Sequence, residues 1–169
     1  MEKFKVENGT VQETLMMPLY GRVYCEEHFP ETFPNKAAKE TATRVDYDFV
    51  KVKSSELNMI TWGLRAKMLQ DGAKKYLKTH PKATIINLGC GLDQSFAEID
   101  NGVCKFINMD LPDVIEAREK IVPCADFKNV SEMAFPKYVK ESREIPWKWK
   151  FVLSLGMKLG MVKIIEVGF

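Results

Sequence analysis

This 169-residue sequence lacks long apolar runs and an excess of charge of either sign. No stretch approaches the roughly 18 consecutive apolar residues that a membrane-spanning helix needs. The longest apolar segment, residues 147–169, is interrupted by lysines. The 25 basic and 23 acidic residues leave a formal net charge of +2, which gives no electrostatic reason to expect nucleic acid as the main partner. We therefore expect neither a membrane nor a nucleic-acid partner.

Cysteine and histidine are also scarce. The four cysteines are scattered without a C-x-x-C pair, and the chain has two histidines, so the spacing of a zinc site is absent and a disulfide framework would be unusual. The first eight residues, MEKFKVEN, are charged and lack the apolar core of a secretory signal. The sequence predicts free thiols in a cytoplasmic protein without a metal site.

The hydrophobic fraction of 46% is enough to form a hydrophobic core. In the first half of the chain the apolar residues recur with helical periodicity. We predict a short helix within residues 10–24 that ends in a turn at Pro18 and Gly21, a loop over 25–35, and a helix from Lys36 to about Val45. A long helix follows, capped by Ser54 or Ser55 and stopped at 79–81. Its predicted apolar stripe consists of Leu57, Ile60, Leu64, Met68, Ala73 and Tyr76.

The period then changes to that of strands. Ala83–Leu88 is a short, uniformly apolar run, typical of a strand buried on both faces of a parallel sheet. It ends in Gly89-Cys90-Gly91. A second strand is predicted over Val103–Met109, followed by Asp110 and a helix over Pro112–Lys120. Strand, glycine turn, short helix and strand are in the order of a nucleotide-binding α/β unit. Beyond it we predict a helix from about Pro146 and a strand over Val162–Phe169.

The glycine turn and Asp110 are the residues that indicate chemistry. Gly89 and Gly91 allow the backbone to turn sharply and approach a ligand closely. Asp110 lies 19 positions after Gly91, the spacing of an acid that accepts hydrogen bonds from a ribose diol, although it is also placed to cap the next helix. The pattern predicts an adenosine-containing cofactor without separating a methyl donor from a dinucleotide. Gln94, where a dinucleotide motif has its third glycine, disfavours the dinucleotide.

Four segments resemble the leucine carboxyl methyltransferase family, especially its bacterial branch of polyketide-type O-methyltransferases. They are VQETLMMPLYGR (11–22), DYDF (46–49), INLGCGLD (86–93) and DLPDVIEAR (110–118). The resemblance implies a class I, Rossmann-like methyltransferase fold of the α/β class. It also implies S-adenosylmethionine as cofactor and methyl transfer to a carboxyl group of a small-molecule or polyketide-like acceptor; a hydroxyl acceptor is the other class considered.

The same resemblance implies the cofactor site. Its residues are Arg65, Gly89, Cys90, Gly91, Asp110, Leu111 and Asp126. The glycine turn would line the methionine moiety, Asp110 would bind the ribose and Leu111 would flank the adenine. Arg65 would pair with the cofactor carboxylate, although by itself it is typical of an exposed helix arginine. Asp126 would contact the adenine amino group, or else is a solvated loop residue.

On the acceptor side the resemblance suggests Tyr20 and Arg22, and Tyr20 is equally compatible with ordinary packing. A carboxylate acceptor is already ionised at neutral pH, so no general base is required. We therefore predict no proton-transfer residue. Catalysis in such a site depends mainly on holding donor and acceptor at attack distance.

The sequence departs from the family pattern in three places. Gln94-Ser95 replaces Thr-Arg, Gln70 replaces an acid, and the strands expected after Asp126 are missing. We therefore expect an N-terminal helical extension over residues 1–80 and an incomplete methyltransferase core over 81–169. An alternative is a shortened, non-catalytic cofactor-binding or assembly protein; a nicotinamide-dependent enzyme fits less well. The missing strands predict that the first strand has an unpaired edge, which favours a homodimer.

Overall fold

The computed structural model describes residues 3–6, 9–122 and 129–134. In chain order the elements are β1 (Phe4–Lys5), α1 (Val11–Thr14), α2 (Met16–His28), α3 (Lys36–Thr43), β2 (Val45–Asp46), a 3-10 helix (Phe49–Val52), α4 (Glu56–Leu77), β3 (Thr84–Leu88), α5 (Ser95–Ile99), β4 (Lys105–Asp110), α6 (Pro112–Ile121) and β5 (Val130–Ala134). Asp126 and the elements predicted after Pro146 lie outside the described residues.

The main sheet is parallel, with strand order β3-β4-β5. The first two strands and the helix after them were predicted; β3 ends at Leu88 as predicted, and β4 ends at Asp110, one residue later than predicted. Asn87 pairs with Asn108, and Asn108 pairs with Glu132 on the third strand. The family's strands after Asp126 were predicted to be missing, and β5 corrects this for the first of them. Its sequence, VSEMA, has no apolar run because the strand is largely exposed and carries Glu132 where an apolar residue would mark a strand.

The predicted turn at Pro18 and Gly21 is wrong, because both residues lie within helix α2. The helix also includes the first residues of the loop predicted over 25–35. It continues through both residues to His28. Pro18 lies in the first turn, where backbone N–H groups have no partner within the helix and a proline is tolerated. Gly21 faces α4 so closely that a Cβ there would lie 2.7 Å from the Cβ of Trp62. The two residues that usually break helices therefore serve a helix start and a helix contact.

Helix α4 has the predicted length and the predicted cap, since the Ser55 hydroxyl accepts from the Asn58 N–H at 3.4 Å. The predicted apolar stripe is wrong at three of its six residues, because Leu57, Leu64 and Met68 are 73%, 45% and 65% exposed. Ala73 is buried as predicted, and Ile60 and Tyr76 are half-buried. The buried residues of the helix are Met59, Gly63, Gln70, Ala73 and Leu77. Contact with α2 determines which face of α4 is buried, because small residues on that face, such as Gly63, allow the two helices to approach closely.

One hydrophobic cluster includes residues from both halves of the chain. Met16 and Leu19 of α2 pack in the same cluster as Ile85 of β3 and Phe96 of α5. The buried amide of Gln94, just before α5, donates to the Thr41 hydroxyl of α3 at 2.8 Å. The helical segment of residues 11–77 thus forms one wall of the core, and the glycine turn of the sheet lies over that core. The domain boundary that the sequence predicts near residue 80 stays a prediction. Within the described residues, no helix is long and apolar enough to cross a membrane.

Candidate cofactor-binding site

The glycine turn joins β3 to α5 and lies against the end of β4. Gly89 and Gly91 have φ values of 66° and 47°, in the left-handed region that favours glycine. The N–H groups of Gly89 and Cys90 donate to the Met109 carbonyl at 2.8 and 3.3 Å. A Cβ built on Gly89 would meet no described atom within 4 Å. The turn is therefore fixed on its inner side, and Gly89 presents bare backbone to the outside.

Asp110 is the last residue of β4, and its carboxylate is bound to this turn. One oxygen accepts from the Gly91 N–H and the other from the Leu111 N–H, both at 2.7 Å. Burial raises the pKa of Asp110, while these two hydrogen bonds and the charge of Arg118 act in the opposite direction. Leu111 is the N-cap residue of α6, so Asp110 does not occupy the cap position. Each carboxylate oxygen has two lone pairs and can accept a further hydrogen bond.

A cleft of about 180 Å³ adjoins the turn. Its lining residues are Leu15, Pro18, Arg22, Trp62, Arg65, Ala66, Leu69, Gln70, Ala73, Ile85, Asn87, Gly89, Cys90, Gly91, Leu92, Asp93, Ser95, Ile99 and Phe106. The structure thus brings five of the predicted site residues to one cleft: Arg22, Arg65, Gly89, Cys90 and Gly91. Asp110 and Leu111 adjoin it behind Gly91 without lining it. Tyr20 lies elsewhere, stacked on Phe49 with ring centroids 5.6 Å apart.

The two arginines of the cleft differ in environment. Arg65 is exposed on α4. Arg22 is buried and donates to the Leu92 carbonyl at 2.9 Å; burial lowers its pKa, and the charge of Asp93 acts in the opposite direction. Among the described residues, the Nε atom of Arg22 and the Oδ1 atom of Asn87 have no hydrogen-bond partner. Such atoms usually find a partner in proteins, and both residues line the cleft.

A row of hydrogen-bonded side chains crosses the sheet below the turn, and sequence reasoning missed it. The Asn87 amide donates to Asn108 at 3.2 Å, and the Asn108 amide donates to Glu132 at 2.9 Å. Glu132 also accepts from Arg118 at 2.8 Å. We call these four residues the polar ladder. A signal was present in the sequence, because an Ile-Asn pair recurs at the same register in both apolar strands.

The cysteines of the described part are free thiols: Cys25, Cys90 and Cys104. Burial strongly raises the pKa of Cys90, so its thiol is protonated at neutral pH and is not a nucleophile there. Among the described residues, no group of histidine, cysteine or carboxylate side chains is arranged to hold a metal ion. The polar groups at the cleft are backbone, amides, a hydroxyl, a carboxylate and arginines, and about half of the lining residues are apolar. This composition suits the binding of an organic molecule that has polar and apolar parts.

Comparison with known proteins shows that this sequence is similar to that of a methyltransferase. No family model matches the chain. Over 117 residues the sequence is 32% identical to the tetracenomycin polyketide synthesis O-methyltransferase TcmP of Streptomyces glaucescens, a match that covers 69% of this chain and 43% of that protein. The chain thus spans less than half the length of this relative. The similarity, together with a mixed α/β fold with a parallel sheet, supports a relationship to methyltransferases.

Proposed function

We propose that this protein binds S-adenosylmethionine and is an O-methyltransferase of the leucine carboxyl methyltransferase family. The acceptor would be the carboxyl group of a small molecule or polyketide-like compound. The observation that carries the proposal is the bond between the Gly91 N–H and the Asp110 carboxylate beside the open surface of Gly89. It combines close backbone approach with a ribose acceptor at the carboxyl ends of parallel strands, where α/β sheets bind ligands. The relative's name, a polyketide O-methyltransferase, agrees with it.

The residues present fit this cofactor. Leu111 is 42% exposed beside Asp110 and offers an apolar surface to an adenine ring. Arg22 and Asn87 line the cleft, and each has one buried polar atom, Nε and Oδ1, without a hydrogen-bond partner among the described residues. Arg65 lines the same cleft from α4, where a guanidinium suits a carboxylate. When bound, the cofactor supplies an activated methyl group on a sulfonium.

Two departures from the family pattern contact each other in the cleft. Gln70 stands where the family has an acid and Ser95 where it has an arginine, and in this chain the Gln70 amide donates to the Ser95 hydroxyl at 3.2 Å. This side of the cleft therefore has a neutral hydrogen bond where the family pattern has charged side chains.

The charges around the turn are balanced, because the cations Arg22, Arg65 and Arg118 are matched by the carboxylates of Asp93, Asp110 and Glu132. The charges therefore do not select between this cofactor and a nicotinamide dinucleotide. The dinucleotide is disfavoured by Gln94, which stands where a dinucleotide motif has its third glycine. For the acceptor, the chain's task would be to hold a carboxylate that is already ionised at attack distance. Arg22 lines the cleft and would pair with this carboxylate, whereas Tyr20 lies outside the cleft and would have to act from there.

The second candidate function is a non-catalytic cofactor-binding or assembly protein, favoured by the departures from the family pattern at Gln70, Gln94 and Ser95. Titration calorimetry with S-adenosylhomocysteine and with NAD separates the proposals. We expect binding of the first and none of the second. Transfer of labelled methyl to a carboxylate acceptor would support the enzyme, and cofactor binding without transfer would support the alternative. Absence of S-adenosylhomocysteine binding would contradict the enzyme and the cofactor-binding protein, and would leave the assembly role.

We also propose a homodimer. In the described residues β3 has a partner strand on one side only, and its residues Ile85, Ile86 and Leu88 are buried. An apolar strand with a free edge offers backbone groups to another strand. Sedimentation at micromolar concentration tests this, and a stable monomer would contradict it.

A further inference from the structure

Arg118 does not line the cleft, but it binds the glycine turn and is itself paired with Glu132. Arg118 of α6 donates from Nη1 to the Gly91 carbonyl at 2.9 Å and from Nε to the Glu132 carboxylate at 2.8 Å. The side chain of Arg118 is 0% exposed and that of Glu132 is 12% exposed. Since the Gly91 N–H is held by Asp110, both polar groups of Gly91 are bound by charged side chains from behind the turn.

The same contacts continue to the far end of the turn. From Glu132 the polar ladder runs through Asn108 to Asn87, whose amide also donates to the Asp93 carboxylate at 3.0 Å. Asp93 in turn accepts from the Ser95 N–H and hydroxyl, at 3.1 and 2.9 Å. The hydrogen bonds therefore form a closed ring that begins and ends on residues 91–93.

Stability alone is a weak reason for such an arrangement. A buried ion pair loses the hydration of both charges, and apolar residues of similar volume often stabilise a protein as well or better. A ring of charged and amide groups instead permits one geometry, because each donor has a defined acceptor. Ligand sites require that kind of geometry in the residues that support them.

We propose that Arg118 and Glu132 are positioning residues for the cofactor: they fix the Gly91 peptide so that the turn and Asp110 have their binding geometry before the cofactor arrives. The inference rests on the proposed function for the identity of the ligand. It assigns to the third strand a role in cofactor affinity although Glu132 does not line the cleft.

Arg118→Lys tests the proposal, because lysine keeps the charge but cannot bridge Gly91 and Glu132 as a planar fork does. Arg44→Lys is the matched control, since Arg44 pairs with Glu40 on the surface of the helical segment, away from the cleft. Outer partners that orient metal ligands typically change affinity by about 10- to 100-fold when they are lost. By analogy we expect Arg118→Lys to weaken S-adenosylhomocysteine binding at least about tenfold, and Arg44→Lys to leave it unchanged.

Amide hydrogen exchange of the ligand-free protein gives a second readout that does not depend on the cofactor. Amides of residues 89–93 should exchange faster in Arg118→Lys than in the wild type and Arg44→Lys, while those of α3 should not change. Unchanged affinity and unchanged exchange at the turn would overturn the proposal. If the wild type binds no S-adenosylhomocysteine, the proposed function fails, and the exchange comparison still decides whether Arg118 positions the turn.

If Arg118→Lys does not fold, Glu132→Gln decides, because glutamine retains the size of the side chain and removes its charge. Weaker binding with faster exchange at 89–93 supports the proposal, and wild-type behaviour overturns it. Failure of both variants to fold would also overturn it, since the pair would then be required for the fold as a whole.

Discussion

The two walls of the cleft are built on different physical principles. The sheet wall, with Asn87, Asp93 and the glycine turn, is held by directional hydrogen bonds across strands in register. The helical wall, formed by residues of α2 and α4 such as Pro18 and Trp62, is mostly apolar and is held by close packing. Substitutions in the sheet wall should therefore act mainly on ligand affinity, and substitutions in the helical wall mainly on the free energy of unfolding.

The largest effect on affinity should come from Asp110→Ala. Two charge-assisted hydrogen bonds to ribose hydroxyls contribute on the order of 3 kcal/mol in total, so S-adenosylhomocysteine affinity should fall roughly a hundredfold. Asp113→Ala is the control, because Asp113 is an exposed aspartate in the first turn of α6. Calorimetry measures both, and circular dichroism checks that each variant is folded. Equal affinities in the two variants would contradict the role of Asp110.

Acidification should weaken binding through the same residue. Burial raises the pKa of Asp110, so its carboxylate becomes protonated at a higher pH than the usual value of about 3.9. Affinity should fall as the pH drops through this raised pKa. The raised pKa adds stability in acid, fully present below the unfolded pKa and lost as the pH rises through the folded one, so this group does not cause unfolding in that window. Asp110→Asn should remove this part of the pH dependence; a wild-type pH profile in that variant would contradict it.

Among the residues of α2 and α4, Gly63 is where we expect a substitution to lower the free energy of unfolding most. A Cβ there would lie 2.3 Å from the Cys25 sulfur, whereas a Cβ on Gly72 of the same helix would meet no described atom within 4 Å. Overpacking should make Gly63→Ala less stable by about 1–3 kcal/mol. Gly72→Ala should be more stable by up to about 1 kcal/mol, through helix propensity. Urea denaturation compares them, and a stable Gly63→Ala would disprove the close contact of α2 with α4.

A smaller effect is expected at the turn itself. Gly89 and Gly102 have similar left-handed φ values, 66° and 79°, and a Cβ on either would meet no described atom within 4 Å. Alanine should therefore cost the fold about 1–2 kcal/mol at either position. Only Gly89→Ala should place a methyl group against the cofactor, with a loss of affinity of about tenfold, or 1.4 kcal/mol. Similar affinities for Gly89→Ala and Gly102→Ala would show that the ligand does not approach Gly89.

The smallest effect should occur on the exposed side of α4. Leu64 is 45% exposed, so Leu64→Ser should change the free energy of unfolding by no more than about 0.5 kcal/mol. Ala73→Ser, on the buried side, should be clearly less stable because it buries a hydroxyl. If Leu64→Ser were the less stable of the two variants in denaturant titrations, Leu64 would lie on the buried side of α4.

The sequence-based predictions were more accurate for the sheet wall than for the helical wall. Strands β3 and β4, the glycine turn and the position of Asp110 were predictable because each depends on residues adjacent in the chain: an apolar run, two glycines and an acid at a strand end. The buried face of α4 was not, because Gly63 contacts Cys25 of a distant helix, and periodicity does not report which neighbour selects the face.

Sequence reasoning missed the functional partners of the turn for a related reason. Arg118 and Glu132 resemble ordinary charged surface residues, and they acquire their role only when β5 pairs beside β4. Asn87 and Asn108 were visible as polar residues inside apolar strands. A polar residue at a buried strand position needs a partner, and asking for that partner would have led to the ladder.

The ring of hydrogen bonds also orders events during folding. Arg118 and the Gly91 carbonyl are 27 positions apart, and Glu132 comes a further 14 positions after Arg118. Contacts at such separation require loop closure and form after local helices and turns. On a ribosome the turn would leave the exit tunnel about forty residues before the carboxylate that completes its support. Substitutions at Glu132 should thus accelerate unfolding while leaving the folding rate nearly unchanged, and the ligand site should be among the last parts of the molecule to become native.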